Sequence, residues 1–365
     1  MRILQVNSVF NGGGVDNQTL ELCKGLLALG DEVTLAIPPA ARVAALAHAV
    51  PGLRVELLPG GKLPWACKLA ALVRQRRIDI VHAHHGRDNW VACAAARLGG
   101  IGDRTVISRH LMTPLSPGSA RYLLRFAHVA AVSRAVHRVL DGQLIGPRAR
   151  LHLVYGGVDT AVFNPAGAAA GQALRRELGW PEQAVVFSVV GSLNPPRGKG
   201  QLEFVEAAAQ VHAQLPDTRF LIAGDGRLDV PVRALAAQLG IGDAVRLLPF
   251  RPDIAPVHHA ADVLVHPATG SEALGLVIWE AMACGKPVIA SRLDGIPEAF
   301  VEERHGLLVP PGDVPALAAA MLRLGADPAL RARMGQAAAA YVEQEFSARR
   351  YAGRMHALYA AIVGG

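Results

Sequence analysis

Two glutamates on either side of a glycine have the residue types and spacing to do chemistry in this 365-residue sequence. Glu272 and Glu280 lie between two segments predicted to be strands. On one continuous helix, their carboxylates would be about 12 Å apart. They can share a ligand only if Glu272 lies on a loop and the helix begins near Gly275. The backbone N–H groups of Gly275, Leu276 and Val277 would then point at an anion. Glu280 is an odd choice for the core of an otherwise apolar helix, which favours a functional role.

A glycine-rich turn, Gly12 to Gly14, follows the first predicted strand and precedes a helix. Glycines at such a turn let backbone N–H groups approach a phosphate. However, the dinucleotide-binding pattern Gly-x-Gly-x-x-Gly requires a third glycine where Asn17 stands. The turn is therefore either a phosphate contact of another kind or a plain tight turn.

A second loop, residues 191–200, follows another predicted strand and contains Arg197 and Lys199. It lacks the residues of a nucleotide-triphosphatase loop, because Leu193 replaces a glycine and Gly200 replaces Ser or Thr. Ligands of open α/β sheets bind at the carboxyl ends of strands, where this loop lies. Its position favours phosphate binding over a solvated pair of charges.

Short apolar runs alternate with helical stretches from end to end, which predicts parallel sheets with helical crossovers. The predicted strands are 3–7, 33–37, 55–58, 80–83, 105–108, 129–132, 151–154, 185–190, 220–223, 245–248, 263–266, 288–290 and 307–309. The pattern breaks between residues 156 and 180. We therefore expect an α/β fold with two doubly wound Rossmann-like domains, 1–165 and 166–345, facing each other across a cleft that binds the ligand. A terminal helix, 346–365, is expected to return to the first domain.

The composition of the chain is typical of a folded protein with large apolar cores. Hydrophobic residues make up 51% of the chain and charged residues 18%. There is no apolar run long enough to span a membrane and no signal-peptide pattern, so we expect a cytoplasmic protein. The four cysteines are scattered, which is typical of reduced thiols rather than a metal or redox site.

Positive charge is concentrated in the first half of the chain. Residues 1–165 contain 19 Lys and Arg against 10 Asp and Glu, whereas residues 166–365 contain 18 against 20. Either this charge attracts anionic partners, or it reflects a general arginine bias. Aromatic residues are 5% of the chain and do not alternate with basic ones, so nucleic-acid binding is not favoured. The segment 119–128 places Arg121 and Arg125 among apolar residues, which predicts peripheral contact with an anionic membrane surface.

The segment from Glu272 to Gly285 resembles the Glu-x7-Glu signature of retaining glycosyltransferases of family 4, which have the GT-B fold. Matches to that family continue along nearly the whole chain. They comprise Gly13-Gly14, Val132-Ser133, Val154–Asp159, Lys199-Gly200, Ala223–Gly226, Gly295–Glu298 and Gly306–Asp313.

The resemblance implies a set of donor contacts. Glu280 should hold the ribose hydroxyls of a nucleotide sugar, and Glu272 the hydroxyls of the sugar. Lys199 and the N–H groups near Gly14 and Gly275 should neutralise the leaving diphosphate. The remaining implied positions are His110, near the reacting sugar, Gly13 and Gly224 at turns, Leu276 and Val277 at the helix start, and Phe250 and Arg251 beside the nucleobase. His82, His84 and His85 are interpreted as structural.

Two positions depart from the family pattern. Ser192 stands where the family usually has Arg, and Arg197 is expected to supply the missing charge to the phosphate. Asp294 stands where the family often has Gly. The sequence has no Asp-x-Asp, so we expect no metal ion and no other cofactor.

The expected reaction is retaining transfer of a sugar to an acceptor hydroxyl, in the synthesis of a bacterial envelope glycan or lipopolysaccharide. UDP-sugars are favoured as donors, with GDP- and ADP-sugars open. The alternatives are a nucleotide-sugar epimerase, a phosphorylase and a non-catalytic protein that binds nucleotide sugars.

Overall fold

The computed structural model describes residues 1–39, 44–143, 150–194 and 199–364, with the backbone alone for 121–124. The chain divides into two compact units. The first comprises Met1–Gly157 and Phe346–Gly365, and the second comprises Val158–Glu345.

The first unit is built on a seven-stranded parallel sheet. Its strands, in chain order, are β1 (Arg2–Val6), β2 (Glu32–Ile37), β3 (Arg54–Leu57), β4 (Ile80–Ala83), β5 (Thr105–Arg109), β6 (His128–Ala131) and β7 (Leu151–Leu153). The order across the sheet is β3-β2-β1-β4-β5-β6-β7. The strand order reverses between β1 and β4, which is the topological switch point of a doubly wound fold.

The second unit repeats this plan with a six-stranded parallel sheet. Its strands are β8 (Val185–Val190), β9 (Thr218–Ala223), β10 (Val245–Leu248), β11 (Val263–His266), β12 (Val288–Ser291) and β13 (Gly306–Val309). The order is β10-β9-β8-β11-β12-β13, so the switch point lies between β8 and β11. All of the predicted strands are present, with ends that differ by no more than two residues.

Helices connect the strands of both sheets. Those of the described residues are α1 (Gly14–Ala28), α2 (Ala44–His48), α3 (Lys62–Gln75), α4 (Asn89–Gly99), α5 (Pro117–Phe126), α6 (Arg134–Asp141), α7 (Ala168–Glu177), α8 (Gln201–Gln214), α9 (Asp229–Gln238), α10 (Ala255–Ala260), α11 (Leu276–Ala283), α12 (Val314–Ala326), α13 (Pro328–Glu345) and α14 (Ala348–Gly364). None of these helices is both long enough and apolar enough to cross a bilayer.

The last helix, α14, is part of the core of the first unit. Met355 and Tyr359 are fully buried with Leu22 of α1. A Cβ added at Gly25 of α1 would lie 2.4 Å from the Cβ of Ala352, so the two helices approach too closely for a side chain there. The packing of α14 against α1 therefore makes residues 346–365 part of the first unit.

The boundary between the units differs from the one placed at residue 165. Residues 158–165 belong to the second unit. The ring of Phe163 meets the ring of His258 edge-on, with centroids 6.0 Å apart. Pro165 lies 3.7 Å from the Cβ position of Gly285. These contacts join the segment to the second unit, and the Pro- and Gly-rich composition after residue 165 gave no sign of them.

Candidate functional site

Helix α11 begins just after Gly275, the position at which Glu272 and Glu280 can share one ligand. Its first residue is Leu276, and Gly275 precedes it with a φ of +83°. A Cβ at residue 275 would lie 3.2 Å from Nε2 of His266, so a larger residue would be both strained and crowded. The N–H groups of Leu276 and Val277 are in the first turn and have no acceptor within the helix, which suits an anion.

Glu272 lies on the loop between β11 and α11, and two side chains lie against its carboxylate. Nζ of Lys199 forms an ion pair with Oε2 of Glu272. Nε2 of His266 lies 3.5 Å from the same oxygen, and the His266 side chain is 1% exposed. Burial raises the pKa of the Glu272 carboxyl, but His266 and Lys199 together lower it to about 2. The carboxylate is therefore ionised at any physiological pH.

Lys199 is positioned by the close packing of α8 against the end of β11. Gly200, which precedes α8, has a φ of +74°. A Cβ there would lie 1.9 Å from the carbonyl oxygen of Pro267, so only glycine permits this approach. The buried side chain of Gln201 accepts a hydrogen bond from the Lys199 N–H at 2.9 Å and donates one to the Ser192 carbonyl at 3.1 Å. Gln201 thus joins the two ends of the loop that carries Lys199.

Ser192, which replaces the family's Arg, is bonded within its own loop. Its hydroxyl accepts a hydrogen bond of 3.0 Å from the side-chain amide of Asn194. Arg197, predicted to compensate for it, lies outside the described residues. Its contact with phosphate stays a prediction.

Glu280 lies one turn into α11, about 6 Å along the axis from Leu276. Its side chain is 14% exposed, and Oε2 lies 3.3 Å from Nε2 of His258, which is fully buried. The Nδ1 atom of His258 has no hydrogen-bond partner among the described residues. His258 was not predicted from the sequence, because its contact with Glu280 joins α10 to α11 and no local pattern indicates it.

The other predicted donor positions of the second unit lie at the same edge of the sheet. Gly224 follows β9 with a φ of +146°, and a Cβ there would lie 2.0 Å from the carbonyl oxygen of Gly191. Phe250 and Arg251 follow β10 and are half-buried. Because all the strands are parallel, the loops after β8 to β11 meet at one edge. Lys199 and Glu272 are in direct contact there.

In the first unit, the glycine-rich turn already holds an anion of the protein itself. Oδ2 of Asp16, which is 3% exposed, accepts hydrogen bonds from the N–H groups of Asn11, Gly12 and Gly13 at 2.8, 2.9 and 3.0 Å. Burial raises the Asp16 pKa, but hydrogen bonds, first of all from His85, lower it below its usual value. The Gly13 N–H therefore has an acceptor already. The predicted contribution of this turn to diphosphate binding then rests on Gly14.

His110 follows β5 and is half-buried, with its Nε2 atom enclosed and without a hydrogen-bond partner among the described residues. Burial, together with the charges of His85 and Arg109, lowers its pKa to about 3. Its ring is therefore neutral at pH 7. His110 can exchange a hydrogen bond with a ligand, but it is not a cation there.

The neighbouring histidines are engaged within the protein. Nε2 of His82 bonds to the Ser108 hydroxyl at 2.8 Å, and its Nδ1 bonds to the Tyr359 hydroxyl at 2.6 Å. Nε2 of His84 bonds to the side chain of Gln5 at 2.7 Å. These contacts agree with a structural role. Among the described residues, no three His, Cys, Asp or Glu side chains are grouped so that they could hold a metal ion.

Two parallel α/β units with this strand order have the architecture of GT-B glycosyltransferases, and comparison with known proteins gives the family. Residues 12–162 match the family model "Glycosyltransferase Family 4", and residues 171–341 match "Glycosyl transferases group 1". The chain belongs to this family of glycosyltransferases.

Relatives support the assignment over most of the chain. The D-inositol 3-phosphate glycosyltransferase of Acidothermus cellulolyticus is 30% identical, over 93% of this chain and 83% of its own. A GDP-mannose-dependent monoacylated alpha-(1-6)-phosphatidylinositol monomannoside mannosyltransferase of Corynebacterium glutamicum is also 30% identical, over 76% of this chain and 75% of its own.

Solved structures share the fold. Anabaena Alr3699/HepE, in complex with UDP and glucose, has a TM-score of 0.82 and 24% identity, covering 99% of this chain and all of its own. WaaG, a glycosyltransferase involved in lipopolysaccharide biosynthesis, has a TM-score of 0.73 and 16% identity, with both chains covered in full. At these identities the likeness shows the fold alone.

Proposed function

We propose that this glycosyltransferase moves a sugar from a nucleotide-sugar donor, with UDP-sugars favoured, to an acceptor hydroxyl, with retention at the anomeric carbon and without a metal ion. The observation that carries the proposal is the cluster at the start of α11. It combines the cation of Lys199, the first-turn N–H groups and the carboxylates of Glu272 and Glu280. This set of charges suits a ligand in which a diphosphate joins a ribose to a sugar.

Each group then has a role on the donor. Glu280, steadied by His258, accepts hydrogen bonds from the ribose hydroxyls. Glu272, whose low pKa of about 2 keeps it an acceptor, binds hydroxyls of the sugar. Lys199 and the N–H groups of Leu276 and Val277 bind the diphosphate, with Arg197 and the Gly14 turn as further predicted contacts. Gly224, Phe250 and Arg251 border the nucleotide.

The reaction proceeds on one face of the sugar. The bond between the anomeric carbon and the departing phosphate oxygen breaks, and the acceptor oxygen bonds to that carbon from the same side. The acceptor's proton passes to the departing phosphate oxygen. Because negative charge grows on the diphosphate, fixed donors aimed at it supply the largest stabilisation of the transition state. The resemblance further predicts a hydrogen bond between the reacting sugar and His110, whose ring is neutral at pH 7.

The acceptor is proposed to be an anionic glycan or glycolipid of the bacterial envelope, used at the inner face of the cell membrane. The net charge of +9 over residues 1–165 supports an anionic acceptor. The relatives named for inositol phosphate and phosphatidylinositol mannoside support the same class. In the segment 119–128, predicted to contact a membrane, the Phe126 ring lies 4.1 Å from the guanidinium of Arg97 on α4. The side chains of residues 121–124 lie outside the described residues.

Membrane contact is tested by sedimentation with vesicles that contain phosphatidylglycerol, against vesicles of phosphatidylcholine alone. Binding that needs the anionic lipid and falls with salt supports it. Equal binding to both kinds of vesicle, or to neither, contradicts it.

The donor and the reaction are tested in two stages. Calorimetric titration with UDP, GDP, ADP and their sugar conjugates is carried out on the protein and on Glu280→Ala. One nucleotide should bind selectively, and the variant should lose that binding. The anomeric configuration of the transfer product is then read by NMR, and an inverted product contradicts the mechanism. Donor converted without an acceptor would indicate an epimerase, and donor binding with neither transfer nor hydrolysis would indicate a non-catalytic protein.

A further inference from the structure

Asp294 adopts a backbone conformation that is unusual for its residue type. It lies between β12 and a short 3-10 turn at Ile296–Glu298. Its φ is +47°, in the left-handed region that favours glycine. Asp and Asn tolerate this region better than most residues, but they still pay a conformational cost that glycine avoids. A carboxylate at this position therefore needs a compensating contact.

That contact is the backbone of Glu272. Oδ2 of Asp294 accepts a hydrogen bond of 3.0 Å from the Glu272 N–H. The next residue, Gly295, donates its N–H to the Glu272 carbonyl oxygen at 3.2 Å. Both polar groups of the Glu272 backbone are thus held by one turn. A glycine at 294 would adopt the same φ without cost, but it could not accept the first of these bonds.

We propose that Asp294 is a positioning residue for Glu272, fixing its backbone so that its carboxylate stays aimed at the sugar of the donor. The inference rests on the proposed function. In the structure, the Glu272 side chain is paired with Lys199, and Nε2 of His266 lies 3.5 Å from its carboxylate. When a diphosphate takes the charge of Lys199, one of these two contacts weakens. The hydrogen bonds with Asp294 and Gly295 hold the backbone of Glu272, so they do not depend on whether Lys199 contacts Glu272 or the diphosphate.

The test compares two substitutions at Asp294 with a matched control. Asp294→Asn keeps an oxygen acceptor and tolerates the left-handed backbone, so it should keep kcat within about twofold of the parent. Asp294→Gly relieves the backbone but removes the acceptor, so kcat should fall about 10- to 100-fold, as expected for a misplaced group. Its affinity for the bare nucleotide and its melting temperature should not fall. Arg77→Gly, at another residue with positive φ (+50°), controls for backbone relief and should not change transfer.

A second readout does not depend on transfer. The pKa of Glu272 is measured by NMR of the 13C-labelled carboxyl, identified by its absence in Glu272→Gln. In Asp294→Gly it should be higher than in Asp294→Asn, which removes the same charge but keeps the acceptor, because the carboxylate is less well placed beside Lys199 and His266. Equal pKa values in the two variants would overturn the proposal, as would equal losses of kcat in the two variants or a kcat unchanged in Asp294→Gly. If the parent protein itself neither binds nor transfers a nucleotide sugar, the proposed function fails, and the pKa readout still decides whether Asp294 positions Glu272.

Discussion

Replacing Glu272 by glutamine tests how strongly its ion pair is built into the folded state. Folding lowers the pKa of this carboxyl from 4.5 to about 2. The difference of about 2.5, at about 1.36 kcal/mol for each pKa unit, favours the folded state by about 3 kcal/mol. Because the pKa is lower in the folded state, the stabilisation is complete above the unfolded pKa and is lost as the pH falls towards 2. Between pH 7 and pH 3 the loss is about 2 kcal/mol.

The assay is urea unfolding of the parent protein and Glu272→Gln at pH 7, 5, 4 and 3. The difference in unfolding free energy between the two proteins should shrink by about 2 kcal/mol from pH 7 to pH 3, because only the parent has this titrating group. Glu303→Gln is the matched control. Glu303 pairs with Arg323 at the surface with 59% of its side chain exposed, so solvent screens its pair and the corresponding change should be small. A difference that stays constant with pH for Glu272→Gln would refute the reasoning.

Two further predictions, one on His258 and one on Gly200, test how the site is supported. His258→Phe keeps a buried ring but removes the nitrogen 3.3 Å from Glu280, so calorimetry should show the nucleotide binding about fivefold more weakly; unchanged affinity would mean that His258 does not steady the carboxylate. Gly200→Ala and its control Gly240→Ala each introduce a methyl group at almost the same φ, +74° and +73°. At Gly200 the methyl group would lie 1.9 Å from the carbonyl oxygen of Pro267, whereas at Gly240 it meets no atom within 4 Å. Denaturant unfolding should find Gly200→Ala about 2 to 3 kcal/mol less stable than Gly240→Ala, and equal stabilities would show that the two segments can separate without cost.

The strands and the start of α11 could be predicted because their signals are local. Parallel strands covered by helices on both faces must be apolar along their whole length, so each one is visible as a short run such as Val185–Val190. Helix geometry made a loop position of Glu272 the condition for sharing a ligand with Glu280, since a continuous helix would separate the two carboxylates too far. The left-handed Gly275 before Leu276 provides that geometry.

The contacts that set the chemistry could not be predicted, because they join residues far apart in the sequence. Lys199 and Glu272 are 73 residues apart, and no local pattern indicates that they form an ion pair. Asp16 is an intermediate case. An acidic residue in the first turn of a helix commonly accepts hydrogen bonds from the residues just before it, so its position three residues after Gly13 was a usable signal. The N–H groups of that turn were instead predicted to contact a ligand.

The ion pair also bears on how the protein distinguishes a nucleotide from a nucleotide sugar. Lys199 is paired with Glu272 in the structure, and both side chains are largely withdrawn from solvent. On the proposed function, a bare nucleoside diphosphate must draw Lys199 away and leave the Glu272 carboxylate without that partner. A nucleotide sugar supplies replacements for both, because its diphosphate binds Lys199 and its sugar hydroxyls bind Glu272. The hydrogen bond from the Glu272 N–H to Asp294 keeps Glu272 in place while Lys199 moves from Glu272 to the diphosphate. On the proposed function, this pairing therefore favours a donor that offers both a diphosphate and sugar hydroxyls over a nucleotide that offers the diphosphate alone.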